Sequence, residues 1–299
     1  MWNSTPNLVQ GPTNCLGGIW MSGGAPAADA ANNLYLMTGN GLFDADSGGS
    51  DYGQSYLKFS TSSGLSITDW FTPHDQSNLN GGDTDVGSGG TALLIDQTSG
   101  PVVHLLVGAG KSGTFYVLNR DNMGHFNAAG DSAVVQTFNS NRAFSTPAFW
   151  NNTMYYFGVQ FGGGPAGLAY AFNPSTGQFN TTAVSQTPTG FGFPGATPSL
   201  SSAGSNNGIV WAINTGNYGT SDNGSRPAGP AVLHAYAASD LGTELWNSTQ
   251  GSGSAAGNAV KFTVPTIANG KVYIGTRGDD TTTNSPTSFG ELDVYGLLP

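Results

Sequence analysis

An all-β fold built from five repeated four-stranded units is predicted for this 299-residue chain, and three observations predict it. Glycine supplies 46 residues, while glutamate occurs only at Glu244 and Glu291 and lysine only four times, so strong helix formers are scarce. An apolar strand running into glycine recurs as NLYLMTG, HLLVGAG, TMYYFGV, GIVWAINTG and KVYIGTRG. Its closing glycines, Gly39, Gly108, Gly158, Gly216 and Gly275, stand 69, 50, 58 and 59 residues apart. The 33 aromatics within a 37% hydrophobic fraction supply a core for short strands.

Each unit reads in the same order. A small-residue entry strand comes first, in SGGAPA, GSGGTA, STPA, ATPS and TVPT. Behind the glycine-ended strand follows an alternating one, in SYLKFS, TFYVLN, LAYAFN, VLHAYA and ELDVYG. A fourth strand follows a glycine turn in SSGLSITDWF, STGQFNTTAV and SDLGTELWNS. Four short strands in about 50 to 70 residues make a β-propeller blade. The expectation is one propeller domain over 1–299 with blades near 17–72, 86–139, 143–184, 195–249 and 260–296. MWNST matches LWNST at Leu245–Thr249, so residues 1–5 are expected to form a detached outer strand. That strand either completes the last blade of a five-bladed ring, or further blades precede Met1.

Charge and composition exclude several function classes. A formal charge of −10 and a pI near 4.4 argue against nucleic acid and anionic membrane surfaces, both of which need basic patches. Runs such as TALLI and VVHLLVGAG are too short to insert across a bilayer. Cys15 is the only cysteine, so there is neither an internal disulfide nor a CxxC site. The opening MWNSTPNLVQG lacks the layout of a signal peptide, and an exported chain would have lost its address. Asn-X-Ser/Thr sequons stand at Asn3, Asn151, Asn180, Asn223 and Asn247, where turn chemistry accounts for the composition.

AYAFNPSTGQF and LHAYAASDLGTELW resemble the quinoprotein-type repeat, in which a strand ending in Ala-x-Asx leads through Thr-Gly or Asp-Gly to a tryptophan-bearing strand. SYLKFSTSSGLSITDWF is a looser copy. Together with GGIWMSGGAPAAD, LMTGNGLFDA, DVGSGGTALL, HLLVGAGKSGTFYVLNRDNMGHFN and ELDVYGLLP, these segments look like a group of bacterial quinoprotein-like propeller proteins of unassigned activity. The resemblance implies a secreted or periplasmic protein and a ring of seven or eight blades, of which five are in this chain. Quinoprotein alcohol dehydrogenases of that superfamily hold pyrroloquinoline quinone beneath a disulfide of adjacent cysteines, with calcium bound by Glu, Asn and Asp. This chain has no cysteine pair, and no residue matches that catalytic motif, so pyrroloquinoline quinone is not supported.

Loop length singles out one face. Turns ANN, WNN, ANG, SSG, STG and SDLG are short, whereas the second-to-third-strand loops and blade connections are long, including 40–53, 72–87, 215–230 and 276–289. Binding residues collect on such loops. Here fall Asp44, Asp46 and Asp51; His74, Asp75, Asp83 and Asp85; Asp222; and Asp279 with Asp280, beside Phe43, Tyr52, Phe191, Phe193 and Tyr218. Carboxylates with aromatic neighbours suit a hard cation or a glycan or protein ligand. FDADSGGSD offers Asp44, Asp46 and Asp51 to calcium, although an Asx turn uses the same residues. His74, Asp83, Asp85, Phe191, Phe193 and Tyr218 are the ligand-face candidates. Asp83 and Asp85 have a spacing open to acid–base work on a glycoside, or simply to a solvated loop.

Other signals read structurally. GAGKSG lacks the GxxxxGK[ST] spacing and joins two strands, so it is no phosphate loop. His104 and His234 alternate with apolar residues and read as hydrogen-bonded strand histidines. Lys111, Arg120 and Arg142 are available to pair with the acids, and Trp2, Trp70 and Trp246 to pack between blades. The leading expectation is a binding or scaffolding module without catalysis. Its alternatives are a quinone-dependent dehydrogenase of alcohols or sugars, and a subunit that assembles through a free blade edge where a closed ring would stay monomeric.

Overall fold

The computed structural model describes residues 2–7, 16–90, 93–160, 163–219, 228–279 and 290–296. Its strands form five antiparallel sheets, each a meander in sequence order, which is the blade pattern of a β-propeller. The first contains β1 (Ala27–Ala28), β2 (Leu34–Met37), β3 (Tyr56–Ser60) and β4 (Ser66–Phe71). A short helix α1 (Gln76–Gly81) precedes the second, which contains β5 (Leu93–Asp96), β6 (His104–Ala109), β7 (Thr114–Asn119) and β8 (Gln136–Asn139). The third contains β9 (Ala148–Trp150), β10 (Thr153–Phe157), β11 (Gly167–Asn173) and β12 (Gln178–Phe179), with β13 (Ser185–Gln186) also on β11. The fourth contains β14 (Ser199–Ala203), β15 (Asn206–Asn214), β16 (Val232–Ala237) and β17 (Asp240–Asn247). The fifth contains β18 (Thr266–Ala268), β19 (Lys271–Thr276) and β20 (Glu291–Gly296).

The chain divides into two compact units, Met1–Thr146 with Phe172–Phe179 and Pro147–Ala171 with Asn180–Pro299. In the first, alternate residues of each central strand serve two clusters. Tyr56 joins Tyr35, Met37, Phe71, Leu106, Tyr116 and Leu118, while its neighbours Leu57 and Phe59 join Trp70 and Trp2. Period-two alternation thus buries both faces of β3, as central strands of covered sheets require. In the second, Tyr155, Phe157, Val210 and Tyr236 make one cluster, and Ile213, Leu233, Val272 and Ile274 another.

Short turns take the expected chemistry. Asn151 and Asn152 have φ of +49° and +56° between β9 and β10, and Asn269 has φ +52° ahead of Gly270 between β18 and β19. Asparagine tolerates this left-handed region, and two such residues give the turn whose twist matches a hairpin.

The expected outer strand at residues 1–5 is corrected. Trp2–Thr5 has no strand pairing; the Asn3 side chain accepts the Thr5 N–H at 3.2 Å, closing an Asx turn where extension was expected. The Trp2 ring meets Phe59 edge-on at 4.9 Å, so its apolar cover comes from the first sheet. Trp246 does pack across sheets, against Tyr295 at 5.5 Å.

Leu106 is fully buried at the centre of the first unit's cluster. Leu106→Ala is expected to lower unfolding stability by about 2–5 kcal/mol. Urea titration should show a reduced midpoint with an unchanged slope.

Candidate functional site

Three long-loop segments of the first unit meet around Lys111. Its ammonium lies 2.9 Å from Asp83 Oδ1 and 2.5 Å from Asp85 Oδ2, and 5.3 Å from the Trp20 ring centroid. Asp85 is buried; its other oxygen accepts the Asn40 N–H at 2.7 Å. The Asn40 side chain donates to Asp83 and accepts from Gln54, both at 2.7 Å, while Gln54 Oε1 accepts the Val86 N–H at 2.7 Å. Gly39 makes this approach possible, because a Cβ there would fall 2.2 Å from Asp85 Oδ1. The hydrogen bond from Lys111 holds Asp83 below the usual carboxylate range. Burial disfavours the Lys111 charge, but Asp85 and Asp83 outweigh it and hold the ammonium above its ordinary pKa. An Asp83 held ionised by Lys111 is poorly suited to the protonated-acid role that glycoside hydrolysis needs.

The remaining candidates separate. Asp44 Oδ1 accepts the Asp51 N–H at 2.8 Å, and buried Asp51 accepts the Asn7 N–H at 3.0 Å. Asp46 sits in the 3₁₀ turn Ala45–Ser47. Among the described residues no three His, Cys, Asp or Glu side chains are grouped to hold a metal. His74 Nδ1 lies 2.9 Å from Asp131, whose hydrogen bond raises the imidazole pKa. Phe191 is in the core, 5.3 Å from Phe157. Phe193 and Tyr218 come together, centroids 6.3 Å apart, under the Lys261 ammonium at 5.7 and 4.7 Å. Asp222, Asp280, Cys15 and the sequon at Asn223 lie outside the described residues.

Two strand histidines have carboxylate partners as their sequence setting suggests, His104 with Asp121 at 2.9 Å and His234 with Glu244 at 2.5 Å. Burial, opposed by Glu244, lowers the His234 pKa, so its imidazole is neutral in the fold. Lys111 pairs with acids as expected, and so does Arg120, with Asp96.

A cleft of about 580 Å³ lies elsewhere, on the short-turn side of the second unit. The β9–β10 hairpin supplies Trp150 and Asn151, the β14–β15 hairpin supplies Ser205, Asn206 and Asn207, and the β16–β17 turn supplies Ser239. Tyr155, Val184, Ile209 and Leu245 form apolar walls, and no Asp, Glu, Lys, Arg or His is among the lining residues. Small residues open it: Ala169, Ala238 and Gly208 line the floor, and a Cβ on Gly208 would meet the Trp150 ring at 2.7 Å. The Trp150 indole N–H donates to Gly204 O at 3.0 Å, and the Tyr155 hydroxyl to Ala238 O at 2.8 Å, which fixes both rings. Loop length did not find this cleft, because its turns are the short ones.

Two outcomes are expected. Lys111→Met leaves Asp85 buried without its counter-ion and should cost about 3 kcal/mol in a denaturant titration, part of which Asp85→Asn in the same chain restores. His234 has the opposite kind of leverage. Its folded pKa lies below the unfolded value, so the unfolded chain binds more protons. The stability it contributes is full above about pH 6.5 and is lost as pH falls from there. Thermal midpoints between pH 7 and 5 should therefore fall less in His234→Gln than in the parent chain. His74, with a raised pKa, is present in both chains and cancels in that difference.

A scan against protein-family models finds no match, and a search of curated proteins finds none. Among solved structures the chain is similar to the crystal structure of BamB from Moraxella catarrhalis, at 14% identity and a TM-score of 0.35, over 91% of this chain and 68% of that one. The fold assignment rests on the strand order of the five meanders themselves.

Proposed function

We propose that this chain is a secreted or periplasmic quinoprotein-like propeller that acts as a binding or scaffolding module without catalysis of its own, and that the uncharged cleft of the second unit seats a neutral glycan. The observation that carries the reading is the lining of that cleft. A ring face and aliphatic walls cover the apolar side of a sugar, while the amides of Asn151, Asn206 and Asn207 and the hydroxyls of Ser185, Ser205 and Ser239 can both donate to and accept from its hydroxyls. Nothing in the lining moves a proton near neutral pH. The one titratable side chain, Tyr155, has its pKa raised by burial and its proton engaged on Ala238 O. This reading moves the ligand seat from the long-loop face to the short-turn side, because Asp44, Asp83 and Asp85 of the long loops are bonded within the protein.

A second reading has its own observation. β20 is the third strand of its sheet, yet Leu292 and Val294 are 65% and 48% exposed, whereas Leu233, Ala235 and Tyr236 in the third strand β16 are buried. Assembly through this blade would cover them, and size-exclusion chromatography over a concentration series tests it.

Glycan-panel binding followed by calorimetry checks the main proposal. Saturable binding of at least one neutral oligosaccharide is expected, weakened at least tenfold by Trp150→Ala in protein with an unchanged strand signature in circular dichroism. No saturable binding across the panel would remove the ligand assignment and leave the fold intact.

A further inference from the structure

The repeat builds the same cleft a second time, with different chemistry. In the second unit, Tyr155 on β10 stands opposite Ala169 on β11, and the Ala238 N–H donates to Gly208 O at 2.9 Å just beyond the β15–β16 ladder. In the first unit, Tyr35 on β2 stands opposite Lys58 on β3, and the Arg120 N–H donates to His104 O at the same 2.9 Å beyond β6–β7. The capping bond repeats as well. The Tyr155 hydroxyl donates to Ala238 O, and the Lys58 ammonium donates to Arg120 O at 2.8 Å. At the three positions where the uncharged cleft has Ala169, Gly208 and Ala238, the first unit has Lys58, His104 and Arg120.

These side chains line a pocket of about 210 Å³ together with Asp29, Asn33, Tyr35, Asp96 and Asp121. That volume holds about seven waters at about 30 Å³ each, or one molecule the size of an amino acid. Asp29 is fully engaged, whereas Asp96 and Asp121, with side chains 66% and 58% exposed, keep room for a further donor beside the partners they have. Asp29 accepts from Ala31 N, Asn33 N, the Asn33 side chain and the Tyr35 hydroxyl, each at 2.9 Å; Asp96 pairs with the Arg120 guanidinium, and Asp121 with His104 Nδ1. The unmet donors belong to the two bases. Arg120 is 2% exposed and its Nε has no hydrogen-bond partner, and Lys58 has no carboxylate partner among the described residues. Both cations stand within 6 Å of the Tyr35 ring, Lys58 at 5.9 Å and Arg120 at 5.7 Å.

An ammonium facing a pocket beside an unsatisfied buried guanidinium N–H calls for an oxyanion, since such charge-assisted bonds are the strong ones. Three carboxylates in the same lining oppose any ligand of high negative charge. We infer that this pocket is a second binding site, for a small zwitterion of the free amino-acid class. Its carboxylate sits on the Lys58 ammonium beside the Arg120 guanidinium, and its ammonium faces the carboxylates of Asp96 and Asp121.

Calorimetry on the full chain with a panel of free α-amino acids, propionate and inorganic phosphate tests it. At least one amino acid should bind saturably below 10 mM on the order expected for a weak single site, with propionate weaker and phosphate not binding. Lys58→Gln should weaken that amino acid at least tenfold. Because Lys58 also caps a backbone carbonyl, a second measurement uses the unaltered chain: the bound amino acid should slow acetylation of Lys58, read by peptide mass spectrometry, and leave Lys271 unchanged. Absence of saturable binding, binding of phosphate or propionate in preference to every amino acid, or binding that protects no lysine would each overturn the assignment.

Discussion

Central strands that must bury side chains on both faces constrain everything else in this protein. On β3, Tyr56 faces Tyr116 at 5.9 Å while Phe59, on the opposite face, meets Trp2. Each methylene so buried contributes about 0.8 kcal/mol, whereas an ion taken from water costs several kcal/mol unless it is paired. Charge is therefore driven to the ends of strands and into loops. In a chain of net charge −10, two of the cations meet this constraint as internal counter-ions, Lys111 on two aspartates and Arg120 on Asp96.

The acidic loops show the same demand for internal partners. Asp44, Asp51, Asp83 and Asp85 are scarce charges in the sequence, and scarcity suggests function. In the fold each of them satisfies backbone N–H groups or a lysine of its own surroundings. Long loops in this molecule are structures that need internal glue, and the carboxylates supply it.

The strands were legible because their signal is local. The glycine-ended runs appear as β2, β6, β10, β15 and β19, and the alternating runs as β3, β7, β11, β16 and β20, since period-two burial is written into adjacent residues. The fourth strand of the third sheet was less legible. STGQFNTTAV pairs only as β12, and β13 follows beyond it, because Asn180 turns its side chain back onto the Thr182 N–H at 3.0 Å and interrupts the run. Trp2 misled for a related reason, since a matching pentapeptide carries no register. Of the candidate residues, Asp83 with Asp85 and Phe193 with Tyr218 were brought together, sequence proximity being the clue for the first pair and a shared set of long loops for the second. The cleft was illegible. Its lining comes from several turns whose meeting depends on how sheets pack, and its floor is made of alanine and glycine, which leave no chemical trace in a sequence so rich in both.

Positions 169 and 238 carry only a methyl group, the first within the continuous β10–β11 ladder and the second just beyond the β15–β16 one. Both methyls are buried in the second unit's core cluster, whereas the matching places of the first unit carry Lys58 and Arg120. Duplicated blades that hold a methyl in one copy and a cation in the other give evolution, or a protein engineer, two sockets of one backbone plan with different recognition.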